Sequence, residues 1–263
     1  MILKTLMENT AADPAFQAEH GLSLYIETGD TKILFDSGQS PAFAQNAKTL
    51  GVDLAAVDFA VLSHGHYDHS GGLETFLSLN DHAPVYLSQY AFDESIDGIG
   101  KYIGVDPSLQ GNPRLIPVQS GMQIAPGLEL FTDEGFSYKQ PVQPYGLCVR
   151  RDNALLPDDF RHELYLLITE GSKRILLSGC SHRGIVNIAS WFSPDVLIGG
   201  FHFMKLDPGG DGKQTLDAAA KELTAYNTRY CTCHCTGVAQ YEYLKPLMGN
   251  QLQYLSCGQE IVL

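Results

Sequence analysis

The sequence predicts an α/β fold in which mixed β-sheets are covered by helices. Buried strands followed by helical segments occur at both ends of the chain. In the first half, the apolar run "FAVLS" (59–63) precedes the helical segment "LETFLSL" (73–79). In the second half, the strand segments "RILLSG" (174–179) and "DVLIGG" (195–200) precede the helical segment "TLDAAAKELTAYN" (215–227). Such alternation is typical of layered α/β architectures.

The N-terminal elements can be predicted in more detail. The segment "LSLYIETGDTKILFDSG" (22–38) predicts two strands around a turn at Gly29, with alternation before the turn and an apolar run after it. Asp36 then stands where the second strand ends. The next segment, "SPAFAQNAKTLGVD" (40–53), has helical spacing after a Ser-Pro start, and Gly51 ends it.

The chain offers no clear internal boundary. It contains no repeat and no linker rich in Gly, Pro or Ser, so we predict one domain over residues 1–263. The segment 98–145 is rich in Gly and Pro and yields only short strand candidates such as "GLELFT" (127–132).

Composition and charge limit the partners of the chain. Its 263 residues carry a formal charge of −13 and give a pI near 5.0, whereas nucleic acids and anionic membranes require a basic surface, so we expect neither partner. We see no apolar span, no signal peptide and no disulfide framework among the six cysteines. We therefore expect a cytoplasmic protein with reduced thiols, and the sequence leaves its oligomeric state open.

Four side chains of metal-ligand type occur within six residues, directly after the predicted strand 59–63. The run "SHGHYDH" contains His64, His66, Asp68 and His69. Imidazole and carboxylate ligands suit zinc, and also iron or manganese. Because residues i and i+2 of an extended chain point to the same side, His64 and His66 can share one ion, and Asp68 and His69 then face a second. This density favours a metal site over a solvated polar loop.

The same run resembles the HxHxDH signature of the metallo-β-lactamase superfamily, and the similarity extends across nearly the whole chain. "ILFDSG" is similar to the first motif of the superfamily, with Asp36 at a strand end, and "LLSGCSH" and "CHCTG" are similar to its later ligand motifs. The resemblance implies an αββα sandwich, in which two mixed sheets pack together with helices outside. It also implies a dinuclear metal site at one edge of the sheets.

A narrower resemblance rests on five segments in order along the chain: "EHGLSLYIE", "SHGHYDHSGG", "SGCSHRGIVNI", "GGFH" and "HCTG". They are similar to the 7,8-dihydropterin-6-methyl-4-(β-D-ribofuranosyl)aminobenzene-5′-phosphate synthase-like proteins. The activity for which that subgroup is named joins a dihydropterin-methyl diphosphate to a ribofuranosyl-aminobenzene phosphate and releases diphosphate. The resemblance therefore implies a small anionic substrate that carries phosphate or diphosphate.

Two later histidines complete the predicted metal site. His182 and His234 each follow a predicted strand, where side chains converge at the edge of an α/β sheet. The alternative for His182 is a capping or solvent-facing histidine. We predict two divalent ions, with zinc preferred over iron or manganese. The predicted ligand sets are His64, His66 and His182 for one ion, and Asp68, His69 and His234 for the other.

The chain departs from the superfamily pattern at Cys180, which stands near the position of a bridging aspartate. A thiolate is a good soft ligand, but a buried cysteine is more often a small apolar side chain, so we expect Cys180 beside the ligands. His162 is the one candidate for a third-motif histidine, and a surface position is the alternative that we favour. The thiols of "CTCHC" (231–235) require a fourth convergent ligand to form a separate zinc site.

Further residues are candidates for catalysis and substrate binding. We expect Asp68 and His202 to act in catalysis, and His202 also to contact substrate phosphate. Arg183 can grip a phosphate through its planar guanidinium, although an exposed surface arginine is an equal alternative. His20 belongs to the subgroup pattern and is expected to line the site. Asp36 is expected to orient a metal-bound histidine by a hydrogen bond to its ring.

The sequence therefore predicts a metal-dependent hydrolase or transferase acting on a phosphorylated or diphosphorylated small molecule. If water attacks the substrate, the enzyme is a hydrolase, and if a bound aromatic amine attacks, it is a transferase that joins the amine to a pterin-methyl group. One alternative is a metallo-hydrolase of a thioester or lactam, with a metal ion stabilising the oxyanion. Another is a metal-bearing sensor that binds a small ligand without turnover.

Overall fold

The computed structural model describes all residues from 1 to 263, and the chain divides into two compact units. Unit 1 comprises Met1–Ser120, Gly146–Leu164 and Ser256–Leu263. Unit 2 comprises Gly121–Tyr145 and Tyr165–Leu255. The prediction of one domain over the whole chain stays a prediction.

The two units contain seventeen strands and six α-helices. The strands are β1 (Ile2–Met7), β2 (Ser23–Thr28), β3 (Thr31–Phe35), β4 (Phe59–Val61), β5 (Val85–Ser88), β6 (Glu94–Ile96), β7 (Leu115–Val118), β8 (Met122–Ala125), β9 (Leu128–Phe131), β10 (Cys148–Arg151), β11 (Ala154–Pro157), β12 (Tyr165–Glu170), β13 (Lys173–Leu177), β14 (Val196–Ile198), β15 (Arg229–Thr232), β16 (Leu252–Tyr254) and β17 (Glu260–Val262). The helices are α1 (Ala42–Thr49), α2 (Tyr67–Ser70), α3 (Leu73–Leu79), α4 (Ile185–Phe192), α5 (Lys213–Thr224) and α6 (Val238–Met248).

Unit 1 is built on a seven-stranded mixed sheet with the order β17-β1-β2-β3-β4-β5-β7, and β11-β10-β6 form a separate three-stranded sheet. The predicted hairpin is confirmed, because Thr28 pairs with Thr31 across a turn in which Gly29 has a φ of +56°. Strands β3, β4, β5 and β7 run parallel. Their carboxyl ends therefore lie along one edge of the sheet. Asp36 follows β3, and the candidate ligands of this unit follow β4.

Helices α1 and α3 cover a face of this sheet, as the helical spacing of both segments predicts. Phe43 and Phe76 from the helices pack with Leu34, Ala60 and Val85 from the strands in one apolar core. Removing this apolar surface from water stabilises the unit by roughly 25 cal/mol for each Å² buried. The packed helices and strands hold the strand ends, and hence the ligand-bearing segments, in place.

Unit 2 is built on a second seven-stranded mixed sheet, with the order β16-β15-β14-β13-β12-β9-β8. Strands β13 to β16 run parallel, and β12, β9 and β8 are antiparallel neighbours. Residues of α4, α5 and α6, including Phe192, Leu216 and Leu244, pack with Tyr165 and Tyr230 in the core of this unit. The predicted strands at 174–179 and 195–200 and the predicted helix at 215–227 correspond to β13, β14 and α5.

The predicted fold class is confirmed, because the chain forms two large mixed sheets, each with helices of its own unit beside it. The segment 98–145, whose course the sequence left open, contains β7, β8 and β9 and then an irregular stretch from 132 to 147. None of the helices is long and apolar enough to cross a membrane.

Candidate metal centre

Four candidate ligands of unit 1 lie together after β4. His64 and His66 occupy the segment between β4 and α2, and α2 itself carries Asp68 and His69. All four side chains are buried. The ring centroids of His64 and His69 are 4.1 Å apart, and those of His64 and His66 are 4.6 Å apart. The residues that the sequence grouped by spacing are therefore also close in space.

Close backbone contacts hold this segment. A Cβ atom on Gly65 would overlap the carbonyl oxygen of Ala91, and one on Gly71 would overlap the carbonyl oxygen of Gln39. Glycine is required at both positions because other parts of the chain approach the backbone there. The Cα positions of His64 and His66 are consequently held against a neighbouring loop.

Asp36 and Ser63 determine which ring nitrogen of two histidines carries the proton. Asp36 Oδ1 accepts the backbone N–H of Ser63, and Oδ2 accepts the Ser63 hydroxyl and lies near His69 Nδ1, each at 2.7 Å. Since a carboxylate only accepts, His69 Nδ1 must carry the hydrogen. The Ser63 hydroxyl gives its hydrogen to Asp36 and so accepts from His64 Nδ1 at 2.9 Å. In both rings Nε2 is therefore the nitrogen with a lone pair for a metal ion.

The predicted contact between Asp36 and a candidate ligand is thus present, and the ligand is His69. The backbone of Asp36 is unusual. Asp36 follows β3 directly and has a φ of +61°, a left-handed conformation that aspartate and asparagine tolerate better than most residues. That conformation lets the carboxylate turn back to meet His69. Backbone strain of this kind is common at functional sites.

Burial keeps the imidazoles of this cluster neutral. Burial lowers the pKa of His64 well below its ordinary value, and the neighbouring His69 and His66 lower that pKa further. Burial, followed by the neighbouring ring of His162, lowers the pKa of His66 to about 3. Neutral imidazole is the form that binds a metal ion. The cluster is therefore held in the protonation state that a metal site requires.

His20 lies at the solvent-facing side of the same cluster, as expected for a residue that lines the site. Its Nε2 is 3.2 Å from Asp68 Oδ2, and 46% of its side chain is exposed, against 11% for Asp68. A ring that reaches solvent therefore lies within hydrogen-bond distance of a buried carboxylate.

His162 and Asp158 were not assigned to the site by the sequence. Both are buried, so the surface position favoured for His162 is wrong. The backbone N–H of Gly65 donates to His162 Nδ1, and His162 Nε2 therefore donates to Asp158 Oδ2, both at 3.2 Å. The ligand-type atoms of His66, Asp158 and His162 lie within 4.8 Å of one another. Burial raises the pKa of Asp158, but the hydrogen bond from His162 and other contacts outweigh burial, and this pKa is lowered.

Unit 2 places its own candidate ligands after the carboxyl ends of β13, β14 and β15. Cys180 and His182 follow β13, His202 follows β14, and His234 follows β15. Cys180, His182 and His234 are buried, and His202 is half-buried. The ligand atoms of Cys180, His182 and His202 lie within 4.8 Å of one another. The structure therefore adds Cys180 and His202 to the side chains that could bind a metal ion beside His182.

The backbone after these strands is left-handed at three non-glycine residues. Ser181, His202 and His234 have φ values of +57°, +55° and +48°. A bulky residue in this conformation costs on the order of 1 kcal/mol or more, so the surrounding fold must hold it there. Two of these three residues, His202 and His234, are candidate functional residues, as is Asp36 in unit 1.

The neighbouring cysteines do not form a separate zinc site. Cys231, Cys233 and Cys235 are buried and form no disulfide, and no cluster of three ligand groups includes them. Burial raises the pKa of Cys231 to about 11. For Cys235, burial raises the pKa, but side-chain contacts with Cys180 and His202 lower it overall. The Cys235 thiol also lies 3.3 Å from the carbonyl oxygen of Cys180.

Arg183 is engaged within unit 2. Its guanidinium donates to the Asp133 carboxylate and to the Tyr138 hydroxyl, and only 5% of its side chain is exposed. The alternative that Arg183 is an exposed surface residue is therefore wrong. A role of Arg183 in binding phosphate stays a prediction. The ammonium group of Lys205 donates to the carbonyl oxygen of Tyr145 at 2.9 Å.

A cavity of about 490 Å³ opens beside the histidines of unit 2. Its walls come from the irregular segment 140–145, from α4, from the segment that follows β14 and from α5. His182 and His202 line one side, with their ring centroids 4.2 Å apart. The volume is in the usual range for a small-molecule site.

The protein is an α/β protein with a candidate centre for divalent metal ions. Its parallel strands end at buried, neutral imidazoles that have an acidic side chain beside them. The family model of the metallo-beta-lactamase superfamily matches residues 17–135. Over this stretch, a little under half of its length, the chain is similar to the metallo-β-lactamase superfamily.

Individual relatives are similar over most of the chain. A solved structure described as a metal-dependent hydrolase of the β-lactamase superfamily is 28% identical, with a TM-score of 0.80 over 100% of this chain and 99% of that one. The chain is 28% identical to the 7,8-dihydropterin-6-methyl-4-(β-D-ribofuranosyl)-aminobenzene-5′-phosphate synthase of Methanocaldococcus jannaschii, over 89% of this chain and 86% of the relative. It is 27% identical to an uncharacterized protein of the same organism, over 99% of each chain.

Members of the superfamily bind divalent metal ions, usually zinc. The donor groups present here fit such an ion, because the hydrogen bonds of Ser63 and Asp36 hold Nδ1 of His64 and His69 and make Nε2 the available ligand atom. Burial of the same rings favours their neutral form, as shown for His64.

Proposed function

We propose that the protein is a metal-dependent enzyme with a dinuclear site that acts on a phosphorylated or diphosphorylated small molecule. The observation that supports the proposal best is the hydrogen-bonded chain of Asp36, Ser63, His64 and His69, since it orients two imidazoles for metal binding. When bound, the metal ions supply Lewis acidity toward phosphoryl oxygens and lower the pKa of the attacking water.

The proposed ligands come from both ligand-bearing regions of the chain. One ion takes His64, His66 and His182, and the other takes Asp68, His69 and His234. Zinc is the proposed metal, because three of the four candidate ligands in unit 1 are imidazoles, and iron and manganese are the alternatives. Support comes from the burial of these residues and from their positions directly after strand ends.

Three residues of the chain are proposed to hold and move protons. Asp68 accepts a proton from the attacking nucleophile, and His20, at 3.2 Å from the Asp68 carboxylate and partly exposed, passes that proton to solvent. His202 lines the cavity and donates a proton to the leaving group or contacts its oxygen atoms. These roles separate proton removal in unit 1 from proton delivery in unit 2.

The finer reaction is proposed from the relatives. The similarity to the dihydropterin synthase of Methanocaldococcus jannaschii favours transfer of a pterin-methyl group from a diphosphate to an aromatic amine, with release of diphosphate. Hydrolysis of the same substrate differs from this transfer only in the nucleophile, which is water instead of the amine. Whether the site admits the amine therefore decides between the two reactions. Hydrolysis of a thioester or lactam is the second candidate, because the solved relative is described only as a metal-dependent hydrolase.

A substrate panel with metal-loaded protein tests the proposal. Protein loaded with zinc, manganese or anaerobic iron is assayed against phosphoesters, a pterin-methyl diphosphate with and without 4-aminobenzoate, thioesters and lactams. Release of phosphate or diphosphate is expected, and it should disappear in His66→Ala and Asp68→Ala but persist in His82→Ala, whose side chain is 57% exposed. Turnover of thioesters or lactams alone would refute the phosphate proposal, and ligand binding with no turnover would indicate a sensor.

A further inference from the structure

Residues 132–145, the wall segment, cover one side of the cavity in unit 2 but contribute no side chain to the core. The segment has no regular secondary structure, and none of its residues is buried. Gln140 and Tyr145 line the cavity, as does the candidate ligand His182. A segment with few buried apolar contacts opens at a lower free energy than the core. Specific contacts must therefore hold this wall in place.

Two side chains on one face of α4 provide such contacts. Asn187 Oδ1 accepts the backbone N–H groups of Lys139 and Gln140, and Asn187 Nδ2 donates to the carbonyl oxygen of Gln140, each at 2.9 Å. One turn further along the helix, Trp191 Nε1 donates to the carbonyl oxygen of Ser137 at 2.8 Å. Because residues four positions apart lie on the same face of a helix, α4 binds the stretch 137–140 along that face.

The same asparagine also binds the turn that carries His182. Asn187 Nδ2 donates to the carbonyl oxygen of Arg183 at 2.7 Å. The backbone N–H of Gly184 donates to the carbonyl oxygen of Ser181 at 2.9 Å, which closes the turn around His182. Asn187 is 0% exposed, and the two acceptor and two donor positions of its amide are all used. One buried amide thus joins the cavity wall to the turn of a candidate metal ligand.

A second link between the turn and the wall segment passes through Arg183. Its guanidinium donates to the Asp133 carboxylate and to the Tyr138 hydroxyl. Tyr138 also packs edge-on against Trp191, with ring centroids 5.0 Å apart. The Asp133 side chain is 31% exposed, so water competes for the contact with Arg183. The fully buried Asn187 is therefore the stronger of the two links.

We propose that Asn187 is a positioning residue of the candidate metal centre, which couples the position of the cavity wall to that of His182. An ion that fixes His182 fixes the turn, and Asn187 transmits this to the wall segment. Opening of the wall weakens the support of His182 in return, because the coupling between two sites is reciprocal. The inference rests on the proposed function only in taking His182 as a metal ligand, and it holds for any substrate.

Limited digestion by trypsin tests the coupling, because the peptide bond after Lys139 lies within the stretch that Asn187 holds. The rate of this cleavage is followed by mass spectrometry in metal-free and in zinc-loaded protein, with no substrate present. Zinc is expected to slow cleavage of the unsubstituted protein by about tenfold. In Asn187→Leu, cleavage of the metal-free protein should be about tenfold faster, because four hydrogen bonds are lost. Zinc should then slow that cleavage by less than about twofold.

An isosteric variant keeps the test decisive where Asn187→Leu does not fold, which circular dichroism shows. Asn187→Asp retains an oxygen that accepts the N–H groups of Lys139 and Gln140, but its carboxylate cannot donate to the carbonyl oxygen of Arg183. Protection by zinc should therefore be lost in this variant, whereas cleavage of the metal-free protein should increase less than in Asn187→Leu.

Asn80→Leu is the matched control. Asn80 is also 0% exposed, and its amide joins the end of α3 to distant backbone. Its Nδ2 donates to the carbonyl oxygen of Leu54 at 3.0 Å, and its Oδ1 accepts the backbone N–H of Ala83 at 2.7 Å. These partners all belong to unit 1. Both rates of cleavage after Lys139 should stay within about twofold of those of the unsubstituted protein.

The outcomes separate a positioning role from a merely structural one. An asparagine that only stabilised the fold would leave the ratio of the metal-free rate to the zinc-loaded rate unchanged when it is replaced. An unchanged ratio in Asn187→Asp, or an unchanged metal-free rate in Asn187→Leu, therefore overturns the inference. Protection by zinc that persists in His182→Ala overturns it as well. Protection that depends on Asn187 and His182, in a protein that releases no phosphate or diphosphate from any substrate, supports the inference and refutes only the proposed reaction.

Discussion

The substitution Asp36→Asn tests how the protein selects the metal-binding nitrogen of His69. Asparagine has nearly the same shape as aspartate and also tolerates the φ of +61°, so the backbone is expected to stay in place. The backbone N–H of Ser63 requires an oxygen at the Oδ1 position, and the new NH₂ group must therefore occupy the Oδ2 position, facing His69 Nδ1. Two N–H donors then face each other, unless His69 moves its proton to Nε2.

The magnitude follows from these contacts. A proton on Nε2 occupies the lone pair that would bind the metal ion, and the loss of a carboxylate that orients a histidine ligand lowers metal affinity by about 10- to 100-fold. The metal-free variant also loses hydrogen bonds to a buried charge, at about 1.5–3 kcal/mol each. The Ser63 hydroxyl also loses its acceptor at the Oδ2 position and can then donate to His64 Nδ1, so the ion that His64 binds should be weakened as well.

Two measurements test this prediction. Zinc affinity is measured by competition with a chromophoric chelator, and the tautomer of His69 is read from its ¹⁵N imidazole shifts in metal-free protein. Asp53→Asn is the matched control, because Asp53 accepts only the backbone N–H of Ala55 at a helix start, where asparagine serves equally well. Zinc affinity within twofold of the unsubstituted protein, with the proton still on Nδ1, would falsify the role given to Asp36.

Three further predictions concern unit 1. Gly65→Ala should lower the free energy of unfolding by about 1–3 kcal/mol, since its Cβ overlaps the Ala91 carbonyl, and an unchanged urea midpoint contradicts this. His162→Ala should weaken zinc binding, because it removes the acceptor of the Gly65 N–H, and His162→Gln should restore part of the loss. Equal zinc affinities of the unsubstituted protein and both variants would exclude a positioning role for His162. The pKa values of His64 and His66 are lowered in the folded protein. As the pH falls below about 6.5, these two histidines therefore become protonated in the unfolded chain before they do in the folded protein. The free energy of unfolding of metal-free protein should therefore fall from pH 6.5 toward pH 3, by up to about 1.4 kcal/mol per pH unit for each histidine, and a flat profile in acid unfolding would contradict the pKa shifts.

Local spacing accounts for the part of the site that could be predicted from the sequence. His64, His66, Asp68 and His69 are neighbours in the chain, and Asp36 could be placed because it ends a strand of recognisable pattern. The parallel strands of both units deliver ligand-type residues at their carboxyl ends, which is a general property of such sheets. These features depend on short segments whose periodicity is visible without knowledge of tertiary contacts.

The parts that could not be predicted depend on distant contacts. The bond between Gly65 and His162 joins residues 97 positions apart, and the short motif around His162 reads as a charged surface segment. The cavity wall at Gln140 is irregular and is held by Asn187, 47 residues later. No periodic pattern marks such positions, because side-chain hydrogen bonds rather than secondary structure determine them.

The pairing of β17 with β1 has a consequence for the order in which the protein folds. Ile2 pairs with Val262, and the backbone N–H of Thr5 donates to the carbonyl oxygen of Gln259, so the last strand of the unit 1 sheet is synthesised after all of unit 2. Until then β1 presents an unpaired edge, which is prone to association with other chains. A nascent chain that ends at residue 255 therefore carries all of unit 2 but an unprotected sheet in unit 1. Chains of that length should aggregate on release from the ribosome more readily than the chain of 263 residues.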